Sequence, residues 1–473
     1  MKMIPLSLVA VLAATLVSCV PEERVNWSPD GTTALVHGSQ SLHLATADGS
    51  PGPALEIGGG LDDAMPGGVA WLPAGDGFVF ARVRPVANWA EARALIPPAE
   101  TAAVEKLAPA VPGLAKVMIG ASGGNSLGDA LDVIQMEPTP WIVPAVSLAW
   151  ESDPATLTAT LAPLTDGQEL IAALSGPEGK IKLHEICVQT VEAGRATGVP
   201  RVLASSLRGH GRIRVSPNGR LVAVLREGIG EHTTELMVLD LSDGQMLSVS
   251  SAANQAYDWS TDSTALVVAR PVGVDGPLSG IDRLTVCTGS GKLLATMNAD
   301  GAPAPLALAR ALLLDPAHIA VLPDGRVLFA STPARLPAAG AAATNPCLFL
   351  AAADGSGVGE VPCAPGTLPQ DLRFHALSPD GRKAALVESG GTAVAVVDLS
   401  TGAVDLVEAP APGWECRMLP AWRGSNELTY TAVRHGKPTP MRWTEKSGAR
   451  EWGADWPENI TSTWLKHVET KGK

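Results

Sequence analysis

The stretch from Phe374 to Glu408 restricts the fold of this chain more than any other part of it. It reads as four short strands joined by turns rich in serine, proline, aspartate and glycine. The predicted strands are Phe374–Leu377, Lys383–Glu388, Thr392–Leu399 and Ala403–Val407. Valine and alanine in alternation suit a half-buried pleated strand, and the turn residues set the backbone angles of tight turns. Such an antiparallel meander cannot bury both of its faces alone, so it requires copies beside it.

Turns of the same kind recur along the chain, and a large apolar residue usually stands just before each one. These residues are Trp27, Trp71, Leu164, Val215, Trp259, Val321, Leu377 and Trp422. The shorter spacings between them run from about 44 to 51 residues, the length of one propeller blade. An apolar, strand-like run follows each turn, so the chain contains eight candidate modules.

A second glycine turn follows most of the first turns after one further apolar strand. Examples are Asp48-Gly49, Asp243-Gly244, Thr401-Gly402 and Ser447-Gly448, and such dipeptides between apolar runs indicate hairpins. Two turns that keep the same phase predict an all-β β-propeller with seven or eight four-stranded blades, of which eight is favoured. An irregular β-sandwich is the alternative fold. The predicted propeller covers residues 25–455, and residues 456–473 form a C-terminal tail.

The turn sequence itself carries a family resemblance. Trp27–Gly31, Val215–Gly219, Val321–Gly325 and Leu377–Gly381 resemble the repeats of TolB-type β-propellers, also called PD40 or WD40-like repeats. The family includes periplasmic proteins that bind protein partners and propeller domains of serine peptidases. The resemblance therefore implies a fold rather than one function, and we expect no counterpart here of the extra domain that precedes the propeller in TolB.

The N-terminus reads as a targeting segment. Lys2 precedes an apolar run, Leu6–Val17, which is too short to span a bilayer and fits a signal peptide over residues 1–18. Leu16-Val17-Ser18-Cys19 resembles a bacterial lipobox, which implies cleavage before Cys19, acyl chains such as palmitate on that residue, and a lipidated tether over residues 19–24. The alternative is an ordinary secreted protein. Val20 is not the aspartate that retains some lipoproteins at the inner membrane, so the resemblance favours the outer membrane, with the protein facing the periplasm.

Residues 87–143 interrupt the repeat. Runs rich in alanine and leucine, broken by prolines, predict short helices inserted between strands of the second blade, with strand pairing resuming near Val146–Trp150. An insertion on one face of a repeat fold is often the binding face; the alternative is a cap over exposed sheet edges. Near the C-terminus, Trp456 and Trp464 are expected either to pack where the last blade meets the first or to form an aromatic patch for a partner.

Five cysteines remain after Cys19, and two of them bracket a predicted hairpin. Cys347 and Cys363 are equidistant from Gly355, which predicts a disulfide across two paired strands, with two buried thiols as the alternative. The remaining cysteines, including Cys187, read as core residues.

Several motifs resemble part of a catalytic or metal site, but none of them forms a complete site. Gly120 to Gly124 fits the nucleophile elbow around Ser122, but the insertion is too short for a hydrolase domain. His232 and Glu235 lack a second ligand pair, and His318 and His375 near the starts of inner strands are expected to fill the channel mouth. The sequence therefore predicts no catalytic residue, no metal site and no cofactor.

The net charge and the arrangement of the predicted segments restrict the functions that this chain can have. With 48 acidic and 35 basic residues the net charge is −13, which argues against a nucleic-acid partner. The sequence favours a monomeric, membrane-anchored binding or scaffold module of the cell envelope with a protein or peptide partner. A propeller hydrolase or lactonase with its site at the channel mouth is the alternative.

Overall fold

A computed structural model shows how the repeats are arranged. It describes residues 24–38, 41–49, 51–62, 67–110, 141–162, 181–228, 234–251, 256–271, 278–289, 292–297, 319–331, 347–353, 357–364, 367–368, 372–388, 394–407, 414–416, 420–434, 437–453, 456 and 460. In these residues the chain forms seven antiparallel sheets, called blades 1 to 7 here, and few helices. The fold is an all-β propeller. No helix in the described part of the chain is long and apolar enough to cross a membrane.

The first three blades take up the N-terminal half of the chain. Blade 1 contains β1 (Val25–Trp27), β2 (Thr33–His37), β3 (Leu42–Thr46) and β4 (Pro51–Ala54). Blade 2 contains β5 (Gly60–Leu61), β6 (Val69–Trp71), β7 (Gly77–Val86), β8 (Ile181–Glu192) and β9 (Arg195–Ser206). Blade 3 contains β10 (His210–Val215), β11 (Leu221–Glu227), β12 (Thr234–Asp240) and β13 (Met246–Ser251).

The C-terminal half supplies four more blades. Blade 4 contains β14 (Tyr257–Trp259), β15 (Ala265–Pro271), β16 (Leu278–Gly289) and β17 (Lys292–Met297), and blade 5 contains β18 (Ile319–Val321), β19 (Val327–Ser331), β20 (Cys347–Ala351) and β21 (Val358–Glu360). Blade 6 contains β22 (Leu372–Leu377), β23 (Lys383–Glu388), β24 (Val394–Asp398) and β25 (Val404–Val407). Blade 7 contains β26 (Trp414–Cys416), β27 (Ala421–Arg423), β28 (Glu427–Arg434), β29 (Lys437–Thr444) and β30 (Gly448–Glu451). The four strands predicted between Phe374 and Glu408 are therefore the four strands of blade 6.

The blades close into a ring. From blade 1 to blade 5 the inner strands of neighbouring blades contact each other in turn. The inner strand of blade 6, β22, contacts β19 of blade 5 and β27 of blade 7, and β27 contacts β1 of blade 1. An apolar cluster lies between each pair of neighbours, including the pair formed by the first and last blades. Each blade hides one face of the next, which is why a meander too small to stand alone is stable here.

The favoured count of eight blades is wrong. The turn after Leu164, assigned to an eighth module, lies outside the described residues. The strands on either side of it, β7 and β8, pair with each other in blade 2 with Val86 opposite Ile181. The segment between them is one long connection within a blade, so a turn motif in it does not imply another sheet.

The hydrogen bonds within the repeated turn explain why serine, aspartate and glycine recur in it. In the first copy, Ser28 Oγ donates a hydrogen bond to Asp30 Oδ1 at 2.6 Å and accepts one from the Thr33 N–H at 3.1 Å. Asp30 Oδ1 also accepts from the Thr32 N–H at 3.0 Å, and the hydrogen bond from Ser28 lowers the pKa of Asp30. Gly31 has a φ of 68°, a left-handed conformation that costs glycine little. The serine and acidic residues are thus used locally, which is why the motif identifies the fold and not an activity.

The tryptophans before these turns join neighbouring blades. Trp71 Nε1 donates to the Asn26 carbonyl at 2.9 Å. Trp259 Nε1 of blade 4 donates to the Arg214 carbonyl of blade 3 at 2.9 Å. In each pair the acceptor stands one position before the large apolar residue that precedes the turn of the neighbouring blade, Trp27 or Val215. The repeat therefore encodes an inter-blade hydrogen bond.

We expect Trp71→Phe to lower the free energy of unfolding by about 1 kcal/mol, because the ring is kept while the indole donor to Asn26 is lost. Chemical denaturation would measure the change. Trp443→Phe is the matched control, since Trp443 is buried but no indole hydrogen bond is seen for it among the described residues. Equal losses in the two variants would contradict a role for the hydrogen bond.

Aromatic side chains pack across the seam between blades 7 and 1, and among the described residues these two blades share no strand. The ring centroid of Trp452 lies 5.0 Å from that of Trp27 and 4.8 Å from that of Trp456. Trp27 Nε1 donates to Thr429 Oγ1 at 2.8 Å across the seam. Trp456 thus packs at the seam, the first of the two sequence-based expectations, whereas Trp464 lies outside the described residues.

Candidate functional site

Helices of the insertion rise from blade 2 between β7 and β8. The described helices are α1 (Trp89–Arg93), α2 (Pro98–Leu107), a 3-10 turn (Ala108–Ala110), α3 (Ile142–Ser152) and α4 (Pro154–Leu161). The expectation that strand pairing resumes near Val146–Trp150 is wrong, because these residues belong to α3. The apolar positions of α3 face a core instead of alternating across a strand. The insertion therefore continues beyond residue 143.

The insertion is packed firmly onto the ring. Its buried core includes Trp89, Val104 and Leu157 from the helices, together with Ile181 and Leu207 from blade 2 and the connection to blade 3. Burial of aromatic and aliphatic side chains of this size contributes about 1.5 to 3 kcal/mol for each residue. The helices are therefore a fixed part of one face of the propeller.

A buried carboxylate links the insertion to the connection between blades 2 and 3. Glu100 of α2 is 3% exposed; its Oε1 accepts from Ser206 Oγ at 2.7 Å and its Oε2 from the Leu207 N–H at 2.8 Å. The guanidinium groups of Arg208 and Arg226 lie 3.5 and 3.6 Å from its Oε1. A buried carboxylate held by two donors and two cations fixes the position of α2 against the ring.

A second acid completes the charge balance of this cluster. Glu235 Oε2 accepts from Arg208 Nη1 at 3.0 Å and from Arg226 Nη2 at 2.8 Å. Burial raises and the nearby arginines lower the pKa of Glu235, and the net direction is downward. Arg208 also lies 5.8 Å from the centroid of the Trp141 ring, a cation–π distance. Two arginines thus face two carboxylates between the insertion and blade 3.

A parallel arrangement lies next to it within blade 2. Glu185 is 1% exposed; its Oε2 accepts from Arg82 Nε at 2.8 Å and its Oε1 from Arg84 Nη2 at 2.9 Å. Arg84 reaches Glu91 of the insertion at 3.2 Å, and its hydrogen bonds to Glu185 raise its pKa. Arg82 also donates to the Ile57 carbonyl. The polar layer therefore runs from the inner edge of blade 2 to the helices.

An aspartate and two histidines join blades 2 and 3 at the same end of the ring. Asp62 Oδ2 is bonded to His184 Nδ1 at 2.7 Å and accepts from the His210 N–H at 3.0 Å. The His184 side chain is 16% exposed, whereas Asp62 is fully buried. A carboxylate that orients an imidazole is the arrangement a general base requires. In the described part of the chain, the hydrogen bonds of the His184 ring go to Asp62, and no serine or threonine hydroxyl is bonded to it.

His210 is buried as a neutral imidazole. Neither ring nitrogen has a hydrogen-bond partner among the described residues. Burial lowers its pKa to about 3, against the opposing effect of Asp62 and with smaller contributions from His184, Arg226 and Arg208. The ordinary pKa of histidine is 6.5, so between about pH 3 and 6.5 the His210 ring is protonated in the unfolded chain and neutral in the folded protein.

We expect His210 to make the protein sensitive to acid. Because the folded pKa lies below the unfolded one, the full stability is present above pH 6.5 and is lost as pH falls toward 3. The slope from one such group is about 1.4 kcal/mol per pH unit. His210→Leu should make the stability–pH curve shallower by about that amount between pH 6 and 4, measured by urea denaturation. Parallel curves for the two proteins would show that His210 is not the group responsible.

The inner strands of blades 3, 4 and 5 are joined by another buried set. Tyr257 Oη donates to the carbonyls of Arg212 and Ala223, and burial raises its pKa. Asp258 Oδ2 accepts from the Val321 N–H at 2.8 Å, and burial raises the pKa of this carboxyl as well. Arg212 has a φ of 48°, which is uncommon for a residue with a side chain and is found at functional or highly constrained positions.

Two of the cysteines considered in the sequence analysis have described side chains. Cys363 has no disulfide partner among the described residues, and burial raises the pKa of its thiol. The hairpin pairs Phe349 with Glu360 and Leu350 with Gly359. The side chain of Cys347 is not described, so the disulfide between Cys347 and Cys363 stays a prediction. Cys187 is buried, with a pKa raised to about 12 by burial, as expected of a core residue.

Other predicted positions lie outside the described residues, among them Cys19, Ser122, His232 and His318. His375 lies on β22, but its side chain is not described. In the described part of the chain there is no group of three or more histidine, cysteine, aspartate or glutamate residues placed to hold a metal ion.

The sequence did not predict the buried pairs of arginine and carboxylate side chains that form the polar layer. Its partners are separated by about a hundred positions, as in Arg82 with Glu185 and Glu100 with Ser206. The available signal was charge inside apolar strands, since Arg82 stands in GFVFARVRPV and Glu185 in IKLHEICVQTVE. Charged residues are rarely buried unless they are paired, so both positions required partners that the sequence did not identify.

A scan against protein-family models and a search of curated proteins gave no match. Among solved structures, the β-propeller domain of the Trilobed protease from Pyrococcus furiosus is 12% identical, covers 58% of this chain and 78% of its own, and has a TM-score of 0.37. TolB from Acinetobacter baumannii is 15% identical over 63% of this chain and 71% of its own, with a TM-score of 0.34. Kuenenia stuttgartiensis hydrazine synthase is 13% identical over 89% of this chain and 95% of its own, with a TM-score of 0.44. At such low identities these similarities concern the fold alone.

Proposed function

We propose that this chain is a lipid-anchored β-propeller of the cell envelope that binds a protein or peptide partner. In this proposal Cys19 carries the acyl chains, the ring is a rigid platform, and the partner binds the face that carries the insertion. The outer membrane is the favoured location, and the protein acts as a monomer.

The observation that carries the proposal is the way in which the insertion is held. Closing the ring does not require helices, since blades without an insertion pack against each other through the same kind of apolar cluster. Glu100 nevertheless fixes α2 to the ring by buried hydrogen bonds. A rigid, non-repeating element on one face of a repeat fold supports a role in recognition.

Point variants on exposed apolar residues test this without disturbing the core. Leu95 lies between α1 and α2 and is 44% exposed, whereas Leu406 lies on the outer strand of blade 6 and is 54% exposed. Partner capture from solubilised envelopes, with mass spectrometry, should be lost with Leu95→Glu and kept with Leu406→Glu. Equal capture by both variants would exclude the insertion as the binding surface, and absence of any specific partner for the wild type would overturn the binding function.

One observation favours the alternative of a propeller enzyme. Asp62 orients His184, whose side chain is partly exposed at the end of the inner strands. A hydrolase or lactonase would use this imidazole as a general base toward water or a hydroxyl group. Assay against aryl esters and lactones tests this, with His184→Gln as the variant. Turnover that is lost in His184→Gln would support the enzyme, and turnover that is unchanged would contradict it.

A further inference from the structure

The inner strand of blade 1 begins at the same end of the ring as the insertion. Val25, the first residue of β1, pairs with Val36 near the end of β2. In blade 2, Gly60 of β5 pairs with Val83 near the end of β7, and the insertion follows directly after Val86. In both blades the inner strand therefore starts at the end where the second strand finishes.

Neighbouring inner strands run in the same direction, so these two ends belong to one face. Asn26 Nδ2 donates to the Val69 carbonyl at 3.2 Å, and Trp71 Nε1 donates to the Asn26 carbonyl at 2.9 Å. These bonds join corresponding positions of blades 1 and 2, which fixes their relative orientation. The chain thus enters the ring on the face that carries the insertion, one blade away from it.

From these positions we infer that the insertion face is turned toward the bilayer and that its partner is an exposed loop of an integral membrane protein. The inference rests on the lipid anchor of the proposed function. Six residues, 19–24, separate the anchor from β1, and at about 3.5 Å per residue they span at most roughly 20 Å.

The short distance between the insertion face and the lipid surface limits which kind of partner can bind there. A small folded domain is about 30 Å across, so a soluble domain does not fit between the face and the lipid. A helix with its side chains is about 10 Å thick, so even one layer of the insertion fills about half of the gap. A loop that rises from the membrane reaches this face, and a soluble protein does not.

Accessibility of two matched sites tests the inference on the lipidated, full-length protein in phospholipid vesicles. Biotin is attached through an azide-bearing amino acid at Leu95, within the insertion, or at Lys446, which is exposed in the turn between β29 and β30 at the opposite end of the strands. Flotation of the vesicles verifies that the protein is attached to them. The rate at which soluble streptavidin binds the biotin reports how accessible each site is. We expect streptavidin to bind at least tenfold more slowly at position 95 than at position 446. A tether lengthened by twenty glycine and serine residues should remove the difference, because it adds up to roughly 70 Å of reach.

The outcomes separate the orientation from the anchor. Detached protein made with Cys19→Ala and without residues 1–18 should show equal rates at the two sites, which excludes local crowding at position 95. Equal rates in vesicle-bound protein would overturn the inference while the anchor stands. A wild-type protein that does not float with vesicles would overturn the anchor itself. If the detached protein, which lacks both the acyl chains and the apolar segment Leu6–Val17, still floats with vesicles, the face binds lipid directly, which would overturn the assignment of a membrane-protein loop.

Discussion

Replacement of Glu100 by alanine is expected to lower the free energy of unfolding by about 3 to 5 kcal/mol. The change removes the acceptor of the Leu207 N–H and of Ser206 Oγ, both of which are buried. It also leaves Arg208 and Arg226 with Glu235 as the remaining carboxylate of the cluster. Removing one member of a buried charge cluster costs this much because the remaining charges have lost their solvent and cannot recover it. Urea denaturation would measure the loss.

Glu105 provides the control on the same helix. Its carboxylate pairs with Arg93 at 3.2 Å, and both side chains are at least 40% exposed. Glu105→Ala should therefore change the free energy of unfolding by less than about 1 kcal/mol, as usual for surface ion pairs. Similar values for the two variants would show that burial of Glu100 does not matter. Hydrogen exchange adds a second test, since Glu100→Ala should raise exchange in α2 before it does so in the blades.

Replacement of Trp452 by alanine should open the seam and lower the free energy of unfolding by about 3 to 5 kcal/mol. Trp452 is 1% exposed, packs against Trp27 and Trp456, and donates through Nε1 to the Ala47 carbonyl at 3.1 Å. Truncation of a buried tryptophan loses its burial and leaves a cavity. In the described parts of the chain the first and last blades share no strand, so side-chain packing holds them together.

Trp422 is the comparison that isolates the seam. It is buried between blades 6 and 7, which are consecutive in the chain, and it donates to the Ala376 carbonyl. Both alanine variants should be destabilised to a similar extent. Faster hydrogen exchange in β1 and β2 under native conditions should appear with Trp452→Ala and not with Trp422→Ala, because side chains of β1 and β2 pack in the cluster around Trp452. Equal exchange patterns would mean that the ring does not depend on the seam more than on its other interfaces.

Local features of this protein were predictable because their causes are local. The turn at Ser28 is held by contacts within five residues, and the four strands of blade 6 follow from alternating apolar residues between two such turns. Helix α3 was misassigned because a short apolar run has no clear period. The Cys347–Cys363 disulfide stays a prediction, because the side chain of Cys347 is not described.

The amino-acid sequence by itself determined that this chain is built from repeated antiparallel sheets, since strand alternation and turn chemistry act between residues close together. Only the tertiary structure decided that the seven described sheets close into a ring and that Trp452 packs between the first and the last of them. It also decided which charges meet, as when Glu100 of the insertion reaches Arg226 of blade 3. Those contacts join residues far apart in the chain, and their energies depend on burial, which a sequence does not specify until the blades are in place.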